Sequence, residues 1–440
     1  MPQFKYVGEK FFAEKVSIEK ITSKNKTPFY LYSENQIKEN FLNFKRSFKQ
    51  VNPIICFAAK ANSNLSILRL LGKLGAGADV VSGGELLKAI KAGINPNKIV
   101  FSGVGKTEEE ILIAIKHKIL LINIESESEA KLIDKIALKQ KKIINVGFRL
   151  NPNIDAKTHK KISTGKAENK FGISIKEFHQ IFKNKERFNN LKIQALSVHI
   201  GSQILSDIPY KKTLGVLLKI IKELNIKLKF IDLGGGFGIN YSHNEQLINF
   251  NNYAKLVLDF KKKTKCNIIF EPGRFLVGNS GILVSKVQYI KNGTNKNFII
   301  LDAGMNDFMR PALYDAQHSI IPVNRSKNKN KGTIEFVGPI CETTCKFGKF
   351  KNYQKLNEGD FVAITNAGAY GSSLSSNYNT KPLISELLVN NNKIKIIRKK
   401  QDLFNFNHAK DIFLGTMKPF KCQVTLTFCF FNNNLRVLIK

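Results

Sequence analysis

Eight short apolar runs recur between residues 54 and 273, and each ends in glycine, serine, asparagine or an ionisable residue. Stretches long enough for a helix separate them; Leu65 to Leu74, for example, places its apolar residues near a 3.6-residue period. Strand and helix alternating eight times predict an α/β fold, a (β/α)8 barrel of the TIM type. The runs are Ile54 to Lys60, Ala78 to Ser82, Ile99 to Gly103, Leu121 to Ser126, Asn145 to Asn151, Ala195 to Gly201, Phe230 to Gly236 and Asn267 to Gly273.

The chain is longer than such a barrel needs. A barrel takes roughly 250 residues and the chain has 440, so we expect a second domain. Beyond about Gly281 the helical periods give way to short β-branched and aromatic runs, which predict a β-rich, sandwich- or barrel-like domain. These runs are Ile282 to Tyr289, Asn297 to Asp302, Thr333 to Val337, Phe361 to Ile364, Ile384 to Val389 and Ile394 to Ile397.

The predicted boundaries divide the chain into three parts. We expect the barrel at residues 30–280, the β-rich domain at 1–29 together with 281–412, and a C-terminal extension at 413–440. Phe29 to Tyr32 is a candidate strand of the later sheet. The extension contains an apolar run that predicts either an added strand or a poorly ordered tail, and we assign it no function.

The charge of the chain raises the question of a polyanionic partner. Seventy lysine and arginine residues against 34 aspartate and glutamate residues give a net charge of +36. The positive residues are mostly lysine, however, and they are scattered without a basic run interleaved with stacking aromatics. We therefore expect no nucleic-acid partner, and we expect the charge to speed the association of small anionic ligands.

Cysteine spacing and hydropathy bear on the cellular context. The six cysteines, at positions 56, 266, 341, 345, 422 and 429, lack the paired spacing of a zinc site, so no metal is expected. Residues 1–20 are interrupted by lysine and glutamate every few positions, unlike a signal peptide. The apolar run of the C-terminal extension is far shorter than the roughly 20 residues that span a bilayer. We expect a cytoplasmic protein with free thiols and no membrane partner.

Two nitrogen bases end predicted barrel strands. Lys60 follows the apolar end of the first strand; if it is partly desolvated, its pKa falls and its amine becomes a nucleophile for a carbonyl carbon. A lone lysine at a strand end is usually only solvated, and a lone histidine such as His199 is more often a satisfied core residue. A functional role is favoured for both residues here because the carboxyl ends of barrel strands form one face, on which catalytic groups lie.

Strands seven and eight end in residues that suit an anion and a protonated ring. The run Gly234 to Gly236 leaves backbone N–H groups unshielded, so they can converge on a phosphate, although glycine also serves many ordinary turns. Glu271, just before Pro272-Gly273-Arg274, offers a carboxylate that would favour protonation of a pyridine nitrogen. A protonated pyridine ring is the electron sink that loss of CO2 from an amino acid requires.

These residues belong to a longer series of ordered motifs. Together the motifs resemble the diaminopimelate decarboxylase family of fold-type III pyridoxal-phosphate enzymes, and the resemblance runs from about residue 5 to about residue 410. The motifs are Ala59-Lys60-Ala61-Asn62, Ala78 to Glu85, His199-Ile200-Gly201-Ser202-Gln203, Gly234-Gly235-Gly236, Glu271-Pro272-Gly273-Arg274, Asp302 to Asp307, Arg310 to Tyr314, Cys341-Glu342 and Gly368-Ala369-Tyr370-Gly371.

The resemblance implies a cofactor site at the mouth of the barrel. Lys60 would form the covalent link to pyridoxal 5'-phosphate, His199 would stack on one face of its ring, and Glu271 would pair with the ring nitrogen. Lys60 and His199 would thereby also be catalytic residues. The phosphate would be held by Gly235, Gly236, the backbone at Gly273 and Arg274, and Tyr370, with Ser202 close by.

The resemblance also implies a substrate site that two subunits share. The substrate would be an amino acid bound by Arg274, Arg310, Tyr314, Glu342 and Tyr370, since arginine is the natural bidentate partner of a carboxylate. Cys341 and Glu342 would reach in from the second subunit of a homodimer, with Cys341 or Lys60 as the proton donor. The segment from Ile162 to Gly172 resembles a loop that closes over substrate. The implied reaction converts meso-2,6-diaminopimelate to L-lysine and CO2, the last step of lysine biosynthesis.

Some of these residues also admit simpler interpretations. Arg310 and Tyr314, four positions apart, could be a pair on a helix surface, and Cys341 could be a small buried residue. The chain also departs from the family pattern at Thr343-Thr344-Cys345, where an Asp is usual, and at Leu383, where the family has an arginine.

Two other classes of protein remain to be distinguished. An ornithine- or arginine-type decarboxylase of the same fold would favour an acidic residue where Cys341-Glu342 stands, because its substrate ends in a bare cationic group. An amino-acid racemase of this fold would set an arginine, not Glu271, against the ring nitrogen. A cofactor carrier or nucleic-acid binder would not need Arg274 and Arg310 beside Lys60.

Overall fold

A computed structural model describes residues 3–156, 164–165, 168–241, 246–294, 296–330, 332–402, 427–431 and 434–438. In chain order the strands are β1 (Phe4–Val7), β2 (Lys10–Ala13), β3 (Val16–Ser17), β4 (Phe29–Ser33), β5 (Ile54–Ala58), β6 (Gly77–Val80), β7 (Ile99–Phe101), β8 (Leu121–Ile124), β9 (Ile144–Asn151), β10 (Ile173–Ser174), β11 (Leu191–Ser197), β12 (Phe230–Asp232), β13 (Asn267–Phe270), β14 (Gly281–Lys291), β15 (Asn297–Leu301), β16 (Ile320–Pro322), β17 (Thr333–Val337), β18 (Lys346–Lys351), β19 (Phe361–Ile364), β20 (Ser385–Asn390), β21 (Lys393–Arg398), β22 (Thr427–Phe431) and β23 (Asn434–Leu438).

The helices alternate with the strands of the first half of the chain. They are α1 (Ile18–Thr22), α2 (Glu34–Ser47), α3 (Leu65–Lys73), α4 (Gly83–Lys91), α5 (Glu108–His117), α6 (Glu127–Lys139), α7 (Ile175–Lys183), α8 (Ile208–Glu223), α9 (Phe250–Thr264), α10 (Arg274–Val277) and α11 (Arg310–Tyr314). Some polar residues at strand ends serve these helices rather than the chemistry. The Ser82, Thr107 and Ser126 hydroxyls, for example, each accept a backbone N–H of the first turn of α4, α5 or α6.

The predicted barrel is confirmed. β5, β6, β7, β8, β9, β11, β12 and β13 pair in parallel, and the β13–β5 and β8–β9 pairings close the sheet on itself. Each of the eight predicted runs overlaps one of these strands. Every strand is covered on its outer face by the helices, which explains why the strands read as apolar runs rather than as an alternating pattern.

The side chains inside the barrel change character along its axis. Near the amino ends of the strands the inward residues form a small apolar cluster of Cys56, Val100, Leu121, Ala195, Phe230 and Ile269, separate from the core beneath the helices. Because side chains alternate across a strand, the residue two positions further along points inward again. Those positions hold Asn123, Asp232 and Glu271, all buried, so the upper part of the barrel is polar.

The predicted second domain is a mixed sheet in the order β18-β17-β15-β14-β4-β20-β21, with β19 pairing to β14 and β16. β4 joins this sheet as expected, antiparallel to β14 and parallel to β20. Each of the six later runs overlaps a strand. The sequence did not predict β16, β18 or the three-stranded meander β1-β2-β3, whose strands are short or rich in lysine. The numerical domain limits stay a prediction.

Beyond Lys400 the chain belongs to a second unit, of which residues 401–402, 427–431 and 434–438 are described. In it β22 and β23 pair as an antiparallel hairpin, with Thr427 opposite Leu438 and Phe431 opposite Asn434. The predicted added strand thus corresponds to half of a hairpin. In the chain as described, no helix is both long and apolar enough to cross a bilayer.

Candidate active site

Lys60 lies at the carboxyl end of β5, in a short 3-10 turn of residues 59–61. Its Nζ donates to Oδ2 of the buried Asp79 in β6, at 3.0 Å. Burial lowers the pKa of Lys60, but electrostatic interactions, of which that with Asp79 is the largest, outweigh it, and the net pKa is raised. The sequence-based expectation of a lowered pKa is therefore wrong for the protein without cofactor, because the paired carboxylate came from a neighbouring strand.

Two acidic side chains meet at the ends of β12 and β13. Asp232 accepts from the Asn123 amide at 3.1 Å and from the Gly234 N–H at 3.0 Å, and it interacts directly with Glu271. Burial, and then the charge of Asp232, raise the pKa of Glu271 well above its usual range; burial also raises the pKa of Asp232, to about 6. Glu271 Oε1 is buried without a hydrogen-bond partner among the described residues. Glu271 Oε1 is therefore available to a hydrogen-bonding group that the described residues do not supply.

His199 is a neutral base held by the neighbouring glycine loop. Its Nδ1 accepts the backbone N–H of Gly235 at 3.2 Å, and its carbonyl accepts from Thr164 Oγ1 at 2.6 Å. Burial, and then the positive charges of Lys60 and Arg149, hold the pKa of His199 well below its usual range. The ring is thus uncharged and fixed in orientation, which suits stacking on a flat ligand.

The glycines after β12 leave no room for side chains. A Cβ at Gly235 would lie 2.0 Å from the Glu271 carbonyl oxygen, and one at Gly236, whose φ is +91°, would lie 2.3 Å from the Gly201 carbonyl oxygen. A Cβ at Gly273 would lie 3.0 Å from that of Ala58. The backbone here is consequently bare, and a phosphate can approach it closely.

Arg274 is buried beside two of the predicted ligand residues, Ser202 and Tyr370, and beside Tyr241. Its guanidinium donates to Ser202 Oγ at 2.9 Å and to the Tyr241 hydroxyl at 2.6 Å, and it lies over the Tyr370 ring at 4.9 Å. Its Nε is buried and has no hydrogen-bond partner in the described part of the chain. Tyr370 is held at the mouth of the barrel, since its N–H donates to the Ala61 carbonyl at 2.8 Å.

Arg310 and Tyr314 share helix α11, but Arg310 is only 5% exposed, so the pair does not lie on a helix surface. Arg310 lies over the Tyr241 ring at 5.2 Å, and its Nε donates to His318 at 3.2 Å. Burial, and then the charge of Arg274, lower the pKa of Arg310, whereas Tyr241 and Tyr314 raise it. Two buried cations thus lie near each other, and neither has a carboxylate partner among the described residues. Such a pair is costly unless an anionic ligand compensates it.

These atoms test whether pyridoxal phosphate fits. The cofactor combines an aldehyde, a basic ring nitrogen and a phosphate dianion. The Lys60 amine can bind the aldehyde, and Glu271 Oε1 is available to the ring nitrogen. The glycine loop, which has no side chains, can accommodate the phosphate. The residues present fit the group. Among the described residues, no cluster of three metal-ligating side chains was found.

Comparison with known proteins decides the family. Residues 34–278 match the pyridoxal binding domain of the pyridoxal-dependent decarboxylases. The diaminopimelate decarboxylase of Aquifex aeolicus is 42% identical over 404 residues, 91% of this chain and 96% of that protein. That of Helicobacter pylori strain J99 is 47% identical over 381 residues, 86% of this chain and 94% of that protein. The chain belongs to the diaminopimelate decarboxylase family.

A solved structure of a family member extends the likeness to three dimensions. The crystal structure of Helicobacter pylori diaminopimelate decarboxylase complexed with L-lysine matches with a TM-score of 0.85 at 44% identity, covering 90% of this chain and 99% of that one. The shared architecture includes both the barrel and the β-rich domain, so the predicted fold and family are confirmed together.

Two predicted family residues lie on the surface of the single chain. Cys341 and Glu342 are exposed; the Asn379 amide donates to Cys341 Sγ at 3.5 Å, and the Tyr378 hydroxyl donates to Glu342 Oε1. Cys341 is thus not the small buried residue of the simpler interpretation. The departure at Thr343-Thr344-Cys345 is accommodated by a turn: the Cys345 N–H donates to the Glu342 carbonyl, and buried Cys345 Sγ accepts the Met305 N–H at 3.3 Å.

Of the predicted closing loop, residues 162–163 and 166–167 lie outside the described residues. Its end at Gly172 is anchored, because Glu125 Oε2 accepts the Gly172 N–H at 3.1 Å while Oε1 pairs with Arg149 at 2.8 Å. Arg149 also lies over the Phe171 ring at 4.9 Å.

Sequence reasoning missed several residues that the structure brings to the site. Asp79, Asn123 and Asp232 were assigned no role, although their inward position follows from the two-residue period of their strands. Tyr241 and His318 had no such signal, because they lie in irregular segments.

Proposed function

We propose that the protein decarboxylates meso-2,6-diaminopimelate to L-lysine and CO2, with pyridoxal 5'-phosphate bound at the mouth of the barrel. The observation that carries the proposal is the buried pair Arg274 and Arg310, without a carboxylate partner in the described chain, in a family whose barrel also supplies Lys60 and Glu271. A site with two such cations suits a substrate that still carries a carboxylate at its distal end.

The residues that would hold the cofactor follow from the fit of the site. Lys60 would bind it covalently, His199 would stack on the ring, and Glu271 would share a proton with the ring nitrogen. Its phosphate would be held by Gly235, Gly236, the Gly273–Arg274 backbone and Tyr370, with Ser202 close by. When bound, the cofactor supplies the electron sink that decarboxylation requires.

The chain's own groups manage the protons. Lys60 Nζ must lose a proton before it can bind a carbonyl carbon, and Asp79 Oδ2, at 3.0 Å, is the base within reach. Burial, and then the charge of Asp232, keep the pKa of the Glu271 carboxyl high, so this carboxyl would carry the proton that it shares with the ring nitrogen. The carbon that loses CO2 needs one proton in return, and Lys60 Nζ or Cys341 Sγ would deliver it.

Substrate binding would orient the bond that breaks. Arg310 and Tyr314, with Arg274, Tyr370 and Glu342, would hold the distal ammonium-carboxylate end of the substrate. Fixing that end leaves the proximal carboxylate at one angle to the ring plane, which is an orientation effect on the rate. An ornithine-type substrate, which ends in a bare amine, would leave Arg310 unpaired.

We further propose a homodimer in which Cys341 and Glu342 complete the partner's site. Their exposure in the single chain supports this, since residues that serve their own barrel would be expected beside Lys60. The unpaired Cys56, Cys266, Cys341 and Cys345 are consistent with action in the cytoplasm.

Product analysis tests the proposed reaction. Purified protein supplied with pyridoxal phosphate and meso-diaminopimelate should release L-lysine and CO2 in equal amounts. L-ornithine, L-arginine and L-lysine serve as matched alternative substrates. Release of putrescine from ornithine at a comparable rate, or interconversion of stereoisomers without CO2, would point to a different enzyme of the same fold.

A further inference from the structure

His318 is a buried histidine that the proposed chemistry does not use. It follows α11 by four residues, is 4% exposed, and lies against two aromatic rings at right angles, with centroid distances of 5.0 Å to Tyr241 and 4.8 Å to Phe308. These contacts fix the plane of the imidazole. Its two nitrogens then point at two fixed partners.

Those partners determine the tautomer of the ring. Nδ1 lies 2.8 Å from the Thr365 carbonyl oxygen, which can only accept, so Nδ1 carries the hydrogen. Nε2 receives the N–H of Arg310 Nε at 3.2 Å, which can only donate, so Nε2 carries the lone pair. Burial, and then the charges of Arg310 and Arg274, lower the pKa of His318 to about 3, in agreement with a neutral ring.

The Thr365 carbonyl is itself held by the second sheet. Thr365 directly follows β19, and its N–H donates to the Ser319 carbonyl at 2.9 Å, next to the pairing of Ile320 with Ile364. A chain of fixed contacts therefore runs from the sheet through Thr365 and His318 to the Arg310 guanidinium.

The contact with His318 limits which nitrogens of Arg310 can bind a ligand. A guanidinium offers a carboxylate two forks, one of the two terminal nitrogens and one that includes Nε. With Nε occupied by His318, the terminal fork is the one left for a ligand. Among the described residues, Arg310 makes no other side-chain hydrogen bond and has no ion pair.

We propose that His318 is a positioning residue that orients Arg310 so that its terminal nitrogens receive the distal carboxylate of the substrate. It thereby sets the specificity of the site for amino acids with a carboxylate at that end. A histidine that served only to fill the core would not need a lone pair facing the arginine.

The test uses the holoenzyme and two ligands that differ at one group. L-Lysine retains the distal carboxylate, whereas 1,5-diaminopentane lacks it. Calorimetry should show that His318→Phe raises the Kd of L-lysine by about tenfold or more, as expected when a hydrogen bond to a charged group is lost. The Kd of 1,5-diaminopentane should stay within about twofold. For meso-diaminopimelate, KM should rise more than kcat falls.

Two conservative variants separate positioning from packing. Gln at this position can present an amide oxygen toward Arg310, so His318→Gln should recover most of the affinity for L-lysine. Asn can keep the Thr365 contact but is too short to reach the arginine, so His318→Asn should behave like His318→Phe. In an Arg310→Leu background, His318→Phe should weaken L-lysine binding no further, because its effect passes through Arg310.

The role of His318 rests on the proposed function, and the experiments distinguish a failure of one from a failure of the other. Wild-type protein that does not decarboxylate meso-diaminopimelate overturns the proposed function. An active wild type whose His318 variants lose both ligands equally, or in which Gln and Asn behave alike, overturns the role of His318. Thermal unfolding of each variant accompanies the titrations, and the Gln and Asn pair decides the question if the Phe variant does not fold.

Discussion

The two ends of the candidate site have opposite character. At the barrel mouth Asp79 pairs with Lys60 and Asp232 with Glu271, and Asp79 Oδ1 and Glu271 Oε1 have no hydrogen-bond partner among the described residues. Near the second sheet Arg274 and Arg310 lie together, and Arg274 Nε has no hydrogen-bond partner in the part of the chain that is described. Each end lacks what a ligand would bring. The acidic end suits a protonated ring, and the basic end suits carboxylates and phosphate.

Despite this difference, the histidines at the two ends are both neutral. His199 lies near Lys60 and Arg149, and His318 lies near Arg310 and Arg274. Burial, and then these cations, lower the pKa of each ring. Each has one ring nitrogen free to accept an N–H, from Gly235 and from Arg310 respectively. Neither histidine is placed to act as a general acid.

The largest effect is expected at the acidic end, from Lys60→Ala. Loss of the covalent link and of the proton carrier should lower kcat by about 10^3-fold or more while the protein stays folded. Borohydride should trap the cofactor of the wild type on the peptide that contains Lys60. Lys88→Ala, an exposed lysine near the same barrel mouth, is the matched control and should be nearly fully active. Recovery of the adduct on another lysine would remove Lys60 from its role.

The next largest effect is expected at the basic end, from Arg310→Leu. Without the guanidinium the distal carboxylate has no partner, so kcat/KM for meso-diaminopimelate should fall by about 10^3-fold. For L-ornithine, kcat/KM should stay within about tenfold of the wild-type value. The preference for meso-diaminopimelate over L-ornithine therefore decreases. The exposed Arg325→Leu serves as the control for loss of an arginine. Equal losses on both substrates would mean that Arg310 supports the fold rather than the choice of substrate.

Subunit exchange tests whether one chain supplies the whole site. Lys60→Ala and Cys341→Ala homodimers should each be severely impaired. Mixing them should restore up to about a quarter of wild-type activity, because half the dimers are mixed and one of their two sites escapes both substitutions. If native mass spectrometry shows heterodimers but the mixture stays inactive, the shared site is wrong.

The smallest effect concerns the carboxyl pair without cofactor. Because the folded pKa of Asp232 is raised to about 6, folding binds its proton tightly, and this contribution to stability is lost as pH rises. Between about pH 4 and 7 the free energy of unfolding of the wild type should therefore fall relative to that of Asp232→Asn. Urea unfolding of the cofactor-free proteins measures it. Parallel curves would show that Asp232 is not protonated there.

The sequence predicted most accurately those features that follow from the periodic pattern of apolar residues. The eight barrel strands, the six later strand runs and the approach of Lys60, His199 and Glu271 all follow from short apolar runs that end on one face. The same period, counted upward from Leu121 and Phe230, would have located Asn123 and Asp232.

Other features were beyond the sequence because they depend on contacts between distant segments. The raised pKa of Lys60 comes from Asp79, which lies on the neighbouring strand. The contact of Arg310 with His318 depends on the turn at Asp315, whose φ is +52°, and on a carbonyl from β19's end. Neither has a periodic signal. The exposure of Cys341 in the single chain likewise required the structure.

The central claim is that the basic end of the site, with Arg274 and Arg310, selects a substrate that carries a distal carboxylate. The acidic end, with Asp79, Asp232 and Glu271, would bind the cofactor. The most direct test is the ratio of kcat/KM for meso-diaminopimelate to that for L-ornithine in the wild-type holoenzyme. A buried arginine left without its carboxylate is costly, so the ratio should be about 10^4 or more. A ratio near one would contradict the claim, because the two buried arginines would then play no part in selecting the substrate.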